Sequence, residues 1–356
     1  MRKTPGDGAY SGTLASGCRQ CIRGAKMVLF VTGLCDVGCF YCPVSFRRAN
    51  HDVVYANERQ VFGDDDVIDE ARRMKALGTG ITGGDPLMVP ERTAHYIRLL
   101  KENFGPSHHI HLYTGRPTIG ALQPLASAGL DELRIHPPET TWRRFRGSNF
   151  DRMLREARRL GMRVGIEVPA IPGFENDLAS LITSAAESGA MFANLNELEM
   201  SESNADSLRE RGFELANDYT NSISGSNEMA LNTVRQRFPI PVHYCPSAFK
   251  DSVQLRGRIR RTASVVRWSG EVVTEDGTLL KAVIETGRPE ISMAELRSRF
   301  GIPGRYIRIN EEKGRLELAP WIAEEIAPAV SERIYLVEEY PTVERTEVER
   351  SEIRQH

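Results

Sequence analysis

The amino-acid sequence predicts an α/β protein: a partial barrel of six strand–helix units, (β/α)6, followed by a small α+β domain. Between residues 27 and 237, short apolar segments typical of buried strands alternate with longer segments that have helical periodicity. Serial units of this kind curl into a parallel sheet with helices outside it, and six units are fewer than the eight of a closed barrel. After about residue 262 the pattern changes to hairpin-like strands around one short helix, which indicates a second domain.

The strands and helices of the barrel are predicted to follow one another in strict alternation. The predicted strands cover 27–32, 80–82, 109–113, 132–136, 163–168 and 194–199. The predicted helices cover 64–77, 91–103, 118–128, 150–160, 177–188 and 227–237. The first helix opens with three aspartates, whose charge suits a helix N-terminus. Because the loops after parallel strands meet at one rim, we expect the chemistry there.

The same patterns divide the chain into five parts. The predicted parts are a lead-in with a CxxC pair (1–26), the barrel (27–245), a basic connector (246–261), a small α+β domain (262–345) and a tail (346–356). The small domain is expected to begin with a hairpin whose turn lies at Glu275-Asp276-Gly277. We expect the tail to fray. The connector arginines are either a solvated face or a patch for phosphate groups.

Composition limits the class of protein. The chain has 356 residues, of which 40% are hydrophobic and 26% charged, so it can bury a core and is not largely disordered. Its formal net charge of −2 gives no overall field that would attract nucleic acid or an anionic membrane. No apolar segment reaches the roughly 18 residues of a membrane span, and the polar N-terminus lacks the apolar stretch of a secretory signal. We therefore expect a cytoplasmic protein.

Five of the six cysteines fall within residues 18–42, and clustered cysteines in a cytosolic chain indicate metal before disulfides. Cys35, Cys39 and Cys42 follow the first predicted strand at a spacing that can wrap one [4Fe–4S] cube. Three thiolates leave one iron open, which can then bind and activate a substrate. A structural zinc site would need a fourth ligand. The alternatives for this triplet are a zinc knuckle or buried thiols.

On the stretch Cys35-Asp36-Val37-Gly38-Cys39-Phe40-Tyr41-Cys42, the sequence resembles the radical S-adenosylmethionine (radical SAM) superfamily over about residues 27–245. The resemblance implies that the three cysteines bind the cluster and that its open iron chelates the methionine part of SAM. One electron, from a reductant such as flavodoxin or ferredoxin, then cleaves SAM to a 5′-deoxyadenosyl radical that abstracts hydrogen from the substrate. The protein orients the reactants and excludes water.

Other positions match the superfamily one at a time. Tyr41 matches the aromatic residue that lies near the adenine of SAM. Gly83-Gly84-Asp85-Pro86 is similar to the family's Gly-Gly-Glu-Pro, whose glycines let backbone carbonyls approach the SAM ammonium, although Asp85 stands where Glu is usual. For the ribose hydroxyls we expect Glu167 first and Asn196 second. The alternatives are a plain tight turn and solvated rim side chains.

A second metal site is predicted from the remaining soft ligands, Cys18, Cys21, His243 and Cys245. A Cys3His set suits tetrahedral zinc, and an auxiliary Fe–S cluster is the alternative. The remaining interpretation is a redox-active or incidental CxxC pair with Cys245 as a buried hydrophobe. On the middle strands, His111 and His136 are candidate proton donors or substrate contacts, and Tyr113 and Arg134 could hold a polar substrate.

More narrowly, the chain is similar to an archaeal-type group related to pyruvate formate-lyase activating enzyme. The stretches that carry this resemblance are 18–21, 40–43, 249–256 and 339–342. It implies no particular substrate, so RNA, protein, lipid and small molecules all remain candidates. The contrasting hypothesis is a non-enzymatic zinc-binding or nucleic-acid-binding module, which would be colourless where an iron–sulfur enzyme is brown.

Overall fold

The computed structural model describes residues 1–353, apart from the side chain of residue 251. The chain forms two compact units, described separately: Met1–Arg72 with Ala76–Leu255, and Arg73–Lys75 with the chain from Arg256 onward. No helix among the described residues is both long enough and apolar enough to cross a membrane.

A parallel sheet organises the first unit. Its strands are β1 (Arg2–Lys3), β2 (Ala9–Tyr10), β3 (Lys26–Phe30), β4 (Tyr55–Ala56), β5 (Arg59–Gln60), β6 (Gly78–Thr82), β7 (His109–Thr114), β8 (Glu132–Ile135), β9 (Arg163–Ala170), β10 (Ala193–Glu197) and β11 (Val242–Cys245). Its helices are α1 (Ser16–Ile22), α2 (Asp64–Arg73), α3 (Pro90–Phe104), α4 (Leu122–Ala128), α5 (Asn149–Arg159), α6 (Glu175–Glu187), α7 (Ala205–Glu210), α8 (Ser226–Arg235) and α9 (Ser247–Phe249), which continues as a π-helical segment over Lys250–Leu255.

The predicted partial barrel is confirmed. Strands β3, β6, β7, β8, β9, β10 and β11 pair in this order and are all parallel to their neighbours. In the described part of the chain, no pairing joins the two ends of the sheet, so the barrel stays open. The seventh parallel strand, β11, extends the six predicted units. Its four residues are too few to show a periodic pattern.

The lead-in at 1–26 contains two short strands and a helix. Strands β1 and β2 form an antiparallel pair, and β2 continues the sheet by pairing with β11, with Tyr10 opposite His243. Helix α1 follows and packs against β3, β6 and β7. The lead-in is therefore part of the barrel unit.

Two kinds of side chain alternate along the barrel strands. Residues such as Met27, Leu112 and Leu133 are apolar and fully buried. The residues between them are polar or charged and line one internal cavity, for example Lys26, His111 and Arg134. Because successive side chains of a strand point to opposite faces, the apolar set packs towards the outer helices and the polar set points into the barrel. The barrel interior is thus a polar chamber.

Each outer helix buries one face against the sheet and exposes the other to solvent. In α5, Ser148 caps the helix by accepting a hydrogen bond from the Asp151 amide, and Phe150, Met153 and Leu154 are buried. The arginines of this helix lie on its outer side, and two of them pair with carboxylates of the same helix, Arg155 with Asp151 and Arg159 with Glu156. This is the solvated face that a basic helical run usually indicates.

The second unit contains a separate antiparallel sheet. Its elements are α10 (Arg256–Val266), β12 (Val272–Val273), β13 (Leu279–Glu285), α11 (Pro289–Phe300), β14 (Ile307–Asn310), β15 (Arg315–Leu318), α12 (Pro320–Ile326), β16 (Ile334–Glu339) and β17 (Glu347–Glu352). The strand order is β14-β15-β13-β16-β17, and β12 pairs with β13 across the predicted turn. An apolar core from this sheet and its helices includes Ile284, Leu316 and Ile326.

The predicted start of this unit is corrected, and so is the description of the connector before it. The connector at 246–261 is helical, and the unit begins at Arg256 in place of residue 262. Its arginines are mostly engaged within the chain: Arg256 pairs with Asp276, Arg261 donates to the carbonyls of Met74 and Lys75, and Arg258 is buried. They therefore form helix and turn contacts more than an open phosphate patch.

The tail also differs from the expectation. Strand β17 pairs with β16 along its whole length, so residues 347–352 do not fray, because their backbone groups are satisfied by the sheet. The end of the predicted tail, 354–356, lies outside the described residues.

A buried ion cluster crosses the sheet of the second unit. Lys281 is 1% exposed and contacts three fully buried carboxylates, Glu271, Glu317 and Glu339. Burial alone would raise the pKa of Glu317, but Lys281 and further hydrogen bonds lower it to about 2. The surrounding cations include Arg315, which bridges Glu317 and Glu339. Every carboxylate of the cluster has a cation, as burial in a low dielectric requires.

Candidate functional site

The loop that carries Cys35, Cys39 and Cys42 is closed at its base by backbone hydrogen bonds. The Gly33 amide donates to the His51 carbonyl (2.8 Å), and the Asn50 amide donates to the Gly33 carbonyl (2.9 Å). Thr32 donates to Asp52, and Arg92 holds both Asp52 oxygens. The two ends of the loop are therefore held together, and all three thiols lie on the segment between them.

The cysteine side chains are accessible from outside the sheet. Cys35 and Cys39 are partly buried, and Cys42 is exposed. The Val37 amide donates to the Cys35 sulfur at 3.5 Å, which is a contact that favours a thiolate. Burial raises the pKa of Cys39 to about 11. Metal binding must therefore displace a proton from this thiol.

No three His, Cys, Asp or Glu side chains of residues 1–353 are placed to hold a single metal ion. A [4Fe–4S] cube makes a different demand, because each cysteine binds its own iron and the sulfurs stand apart. A closed loop with three thiols and an amide directed at one sulfur fits that demand.

Tyr41, the predicted adenine neighbour, belongs to the cysteine loop and is 6% exposed. Its hydroxyl forms a 2.9 Å hydrogen bond with His136 Nε2, and the other ring nitrogen of His136 contacts the Glu167 carbonyl at 2.6 Å. The Tyr41 carbonyl accepts a hydrogen bond from Asn204. His136 therefore ties the cysteine loop to strand β9, which is a positioning contact within the protein.

The Gly-Gly-Asp-Pro turn packs directly onto the start of the cysteine loop. The amides of Gly84 and Asp85 donate to the carbonyls of Thr32 (2.7 Å) and Leu34 (2.8 Å). A Cβ added to Gly83 would lie 2.5 Å from the Thr32 carbonyl oxygen, and one added to Gly84 would lie 2.4 Å from that of Leu34. Both glycines are thus required for the close approach of two backbones.

The Asp85 side chain is directed into the protein, and it is 2% exposed. Its carboxylate accepts hydrogen bonds from the Leu87 amide (2.9 Å), the Thr114 hydroxyl (2.9 Å) and the Gly115 amide (2.8 Å). It therefore joins the turn to the end of β7.

Replacing Asp85 with alanine is expected to lower the free energy of unfolding by about 3 kcal/mol, because three buried donors lose their acceptor. Asp85→Asn, which keeps one oxygen, should lose less. Urea unfolding of the two variants beside the parent protein measures the difference. Equal stability of Asp85→Ala and the parent would contradict this role.

The polar chamber of the barrel contains a cavity of about 220 Å³. Its wall combines side chains from all seven parallel strands with α1 and the segment after β11. The lining residues are Cys18, Cys21, Lys26, Val28, Gly80, Thr82, His111, Tyr113, Arg134, Glu167, Asn194, Asn196, His243, Cys245, Phe249, Lys250 and Gln254. The structure therefore brings the predicted ribose ligands, the second cysteine group and His111 to one place.

Glu167, the first candidate for the ribose, is the centre of a hydrogen-bond network. One of its oxygens accepts from Arg134 (2.6 Å) and Asn194 (2.9 Å), and the other accepts from Asn196 (3.0 Å). Burial would raise the pKa of Glu167, but Arg134 and the two amides lower it. The carboxylate is consequently charged and fixed, with one oxygen that has a single donor.

The four predicted ligands of a second metal all line the cavity, but they do not converge as the ligands of one tetrahedral zinc ion. The physical reason is that they are held by different neighbours. Asn194 and Arg134 donate to Cys18, whereas Gln254 donates to Cys21. Burial lowers the pKa of His243 to about 4, so its imidazole is neutral.

Several cavity residues were missed by the sequence analysis. Lys26 is 1% exposed, and burial lowers its pKa to about 8. Asn194, Lys250 and Gln254 were also absent from the predicted site. The alternation of Lys26 with the apolar Met27 and Leu29 could have identified the lysine as inward-facing. Nothing local distinguishes Lys250 and Gln254, because their position depends on the helix after β11.

Comparison with known proteins adds to this geometry. A family model described as the radical SAM superfamily matches residues 29–182, and a domain of unknown function (DUF8061) matches residues 277–353. A Methanocaldococcus jannaschii protein named "Putative glycyl-radical enzyme activating enzyme" is 37% identical over 353 residues, which cover 95% of this chain and 92% of that protein. The first match contains both the cysteine loop and the Gly-Gly turn.

Solved structures show weaker similarity. Streptococcus suis SuiB bound to S-adenosylmethionine is 12% identical, with a TM-score of 0.44 and coverage of 63% of this chain and 51% of that one. Methylornithine synthase is 16% identical, with a TM-score of 0.40 and coverage of 62% and 66%. The chain spans about half the length of the SuiB chain.

Proposed function

The chain belongs to the radical SAM superfamily and is an enzyme, and from this premise we propose that it cleaves S-adenosylmethionine reductively at a [4Fe–4S] cluster held by Cys35, Cys39 and Cys42. When bound, the cluster supplies the electron that breaks the sulfonium bond and yields a 5′-deoxyadenosyl radical for hydrogen abstraction. The protein's own residues hold the loop, position the nucleotide and limit the access of water.

The observation that carries the proposal is the contact between the cysteine loop and the Gly-Gly turn. Three thiols are presented by one clamped loop, and the backbone of Gly84 and Asp85 is hydrogen-bonded to the residues just before Cys35. A SAM molecule whose amino and carboxylate groups bind the open iron would therefore meet this turn. Gly83 and Gly84 are proposed to serve it through their backbone, with the Asp85 side chain holding the turn in place.

The remaining SAM contacts are proposed from the inner wall. Glu167 is charged and fixed, and the oxygen that faces Asn196 has one donor, so it can accept from a ribose hydroxyl. Asn196 orients that carboxylate. Tyr41 is proposed to border the adenine, with its hydroxyl held by His136.

Aromatic packing at Phe40 joins the cysteine loop to the segment after β10. Phe40 stacks on Phe213 with ring centroids 6.1 Å apart, and Arg211 lies over the Phe40 ring at 4.6 Å. Ser203 and Asn204 donate to the carbonyls of Cys42 and Tyr41. The segment after β10 thus contacts the loop at several points, and water exclusion is what radical chemistry requires of the protein.

We further propose that a flavodoxin or ferredoxin is the reductant and that the protein is located in the reducing cytoplasm. The substrate is proposed to reach the rim of the polar chamber. The alternative of a non-enzymatic zinc or nucleic-acid-binding module has no support, since the chain belongs to an enzyme superfamily and no three side chains in residues 1–353 hold a single ion.

The test is anaerobic purification with cluster reconstitution, followed by addition of dithionite and SAM. We expect about four irons per chain at this cluster, absorbance near 400 nm that changes on SAM addition, and 5′-deoxyadenosine that requires the reductant. S-adenosylhomocysteine, which has no sulfonium, is the matched control. Deuterium transfer into 5′-deoxyadenosine from labelled protein, RNA, lipid or small-molecule fractions would then identify the substrate. Iron-free protein, or iron that ignores SAM, would reject the proposal.

A further inference from the structure

Helix α1 closes the barrel at the amino-terminal ends of its strands. A Cβ on Gly17 would lie 2.4 Å from His111 Nδ1 and 2.5 Å from Arg134 Nη2, so the helix backbone touches the inner wall. Gln20 donates to the carbonyl of Leu77, the residue that precedes β6. Residues 18 and 21 lie three apart and share one helix face. The helix therefore carries two cysteines into the chamber.

A third thiol, at the end of the last barrel strand, lines the same cavity. Cys245 ends β11, where it is paired in register with Asn196 of β10. Cys18, Cys21 and Cys245 all line the cavity, and all three are free thiols. Cys245, more than two hundred residues further along the sequence, thus lines the same cavity as Cys18 and Cys21, apart from the Cys35–Cys42 loop.

Hydrogen-bond donors contact two of these three sulfurs. Asn194 Nδ2 and Arg134 Nη2 donate to the Cys18 sulfur at 3.2 and 3.5 Å, and Gln254 Nε2 donates to the Cys21 sulfur at 3.7 Å. A neutral thiol is a weak acceptor, whereas a metal-bound thiolate is a strong one. The amide and guanidinium donors are therefore better matched to thiolates.

The charges of the chamber are close to balance. Arg134 pairs with Glu132 and Glu167, and Lys250 pairs with Glu199. Lys26, a third cation of the chamber, contacts His109. Three unbound thiolates would make the net charge of the chamber negative. Thiolates bound to iron suit it, because the charge of the metal offsets most of theirs.

His243 provides an independent observation. It is 7% exposed and lines the cavity, and its Nδ1 has no hydrogen-bond partner among the described residues. A buried polar atom without a partner calls for a ligand or ordered water. An imidazole beside three thiols is a typical metal ligand.

Among the described residues, the placement of these groups leaves a cluster as the kind of metal site to consider. A single ion is excluded by the same geometry that excludes it for Cys35, Cys39 and Cys42. A cluster binds each thiolate through a different iron, and the cavity of about 220 Å³ has room for several atoms. Loading would exchange three thiol protons for three iron–sulfur bonds.

We infer that Cys18, Cys21 and Cys245 hold a second iron–sulfur cluster inside the barrel, with His243 as the fourth ligand. Such a cluster would share its cavity with Glu167 and Asn196, the residues proposed to hold the SAM ribose.

The test compares iron, sulfide and zinc contents of reconstituted full-length variants. We expect the parent to hold about eight irons if both clusters are cubes. Cys35→Ala/Cys39→Ala/Cys42→Ala should keep about half of them, with absorbance near 400 nm. Cys18→Ser/Cys21→Ser should also keep about half and should still perturb its spectrum with SAM.

Two further variants guard against misfolding. Ser16→Ala, on the same helix but outside the cavity, should keep all the iron. Gln254→Ala should keep the iron but shift the redox potential of the second cluster, because it removes a donor to the Cys21 sulfur. Loss of all iron from the triple variant, or zinc in its place, overturns the second cluster and leaves the proposed function intact. If the parent protein itself binds no iron, the proposed function is rejected.

Discussion

Replacing Cys35, Cys39 or Cys42 with alanine is expected to abolish 5′-deoxyadenosine formation. A loss of more than about 10³-fold is expected, corresponding to over about 4 kcal/mol of transition-state stabilisation. Each thiolate holds one iron of the cube, and the loop offers no other thiol that could replace it. The measurement is chromatographic quantification of 5′-deoxyadenosine after anaerobic reduction with dithionite.

The matched control for this experiment is Phe46→Ala. Phe46 belongs to the same loop and is 66% exposed, so its truncation leaves the thiols and the loop base untouched. This variant should keep its iron and form 5′-deoxyadenosine at the rate of the parent. Undiminished cleavage by any single cysteine variant would show that the cluster is held elsewhere.

Replacing Gly33 with alanine is expected to disable the same chemistry without removing a ligand. The added Cβ would lie 1.7 Å from the Arg48 carbonyl oxygen and 2.5 Å from that of His51. The two segments at the loop base must then separate, which breaks the backbone hydrogen bonds that Gly33 makes with His51 and Asn50. Two lost hydrogen bonds and the overpacking together cost about 3–5 kcal/mol.

Because the clash is confined to the loop base, the barrel should remain folded while the loop loses its shape. We expect iron incorporation at Cys35, Cys39 and Cys42 and 5′-deoxyadenosine formation to fall together, by at least about tenfold. Circular dichroism and thermal unfolding would report on the barrel. Gly63→Ala is the control, since a Cβ there has nothing within 4 Å. If Gly33→Ala bound iron as the parent does, the clamp would not be needed for assembly.

The barrel could be predicted from sequence because its signals are local. A buried strand shows its apolar run within a few residues, and an outer helix shows its periodicity within three turns. The cysteine triplet is also local: the three proposed ligands of one cluster fall within eight residues. The two-residue strands of the lead-in and the four residues of β11 carry too little pattern for such an inference.

Only some of the polar side chains that point into the barrel could be predicted from the sequence. The sequence alone shows that Glu167 and Asn196 fall near the ends of strands, and this was enough to nominate them. It does not show that Arg134, Asn194 and Asn196 all converge on the Glu167 carboxylate. That convergence depends on the register between three strands, which is set by the packing of the whole sheet.

By itself, then, the sequence determined the fold class, the cysteine loop and the family. Only the tertiary structure decided that α1 enters the barrel, that Cys18 and Cys21 share a cavity with Cys245, and that the Asp85 side chain turns inward. The physical reason is range. Periodicity and motif spacing report on neighbours along the chain, whereas these contacts join residues that become neighbours only after the chain has folded.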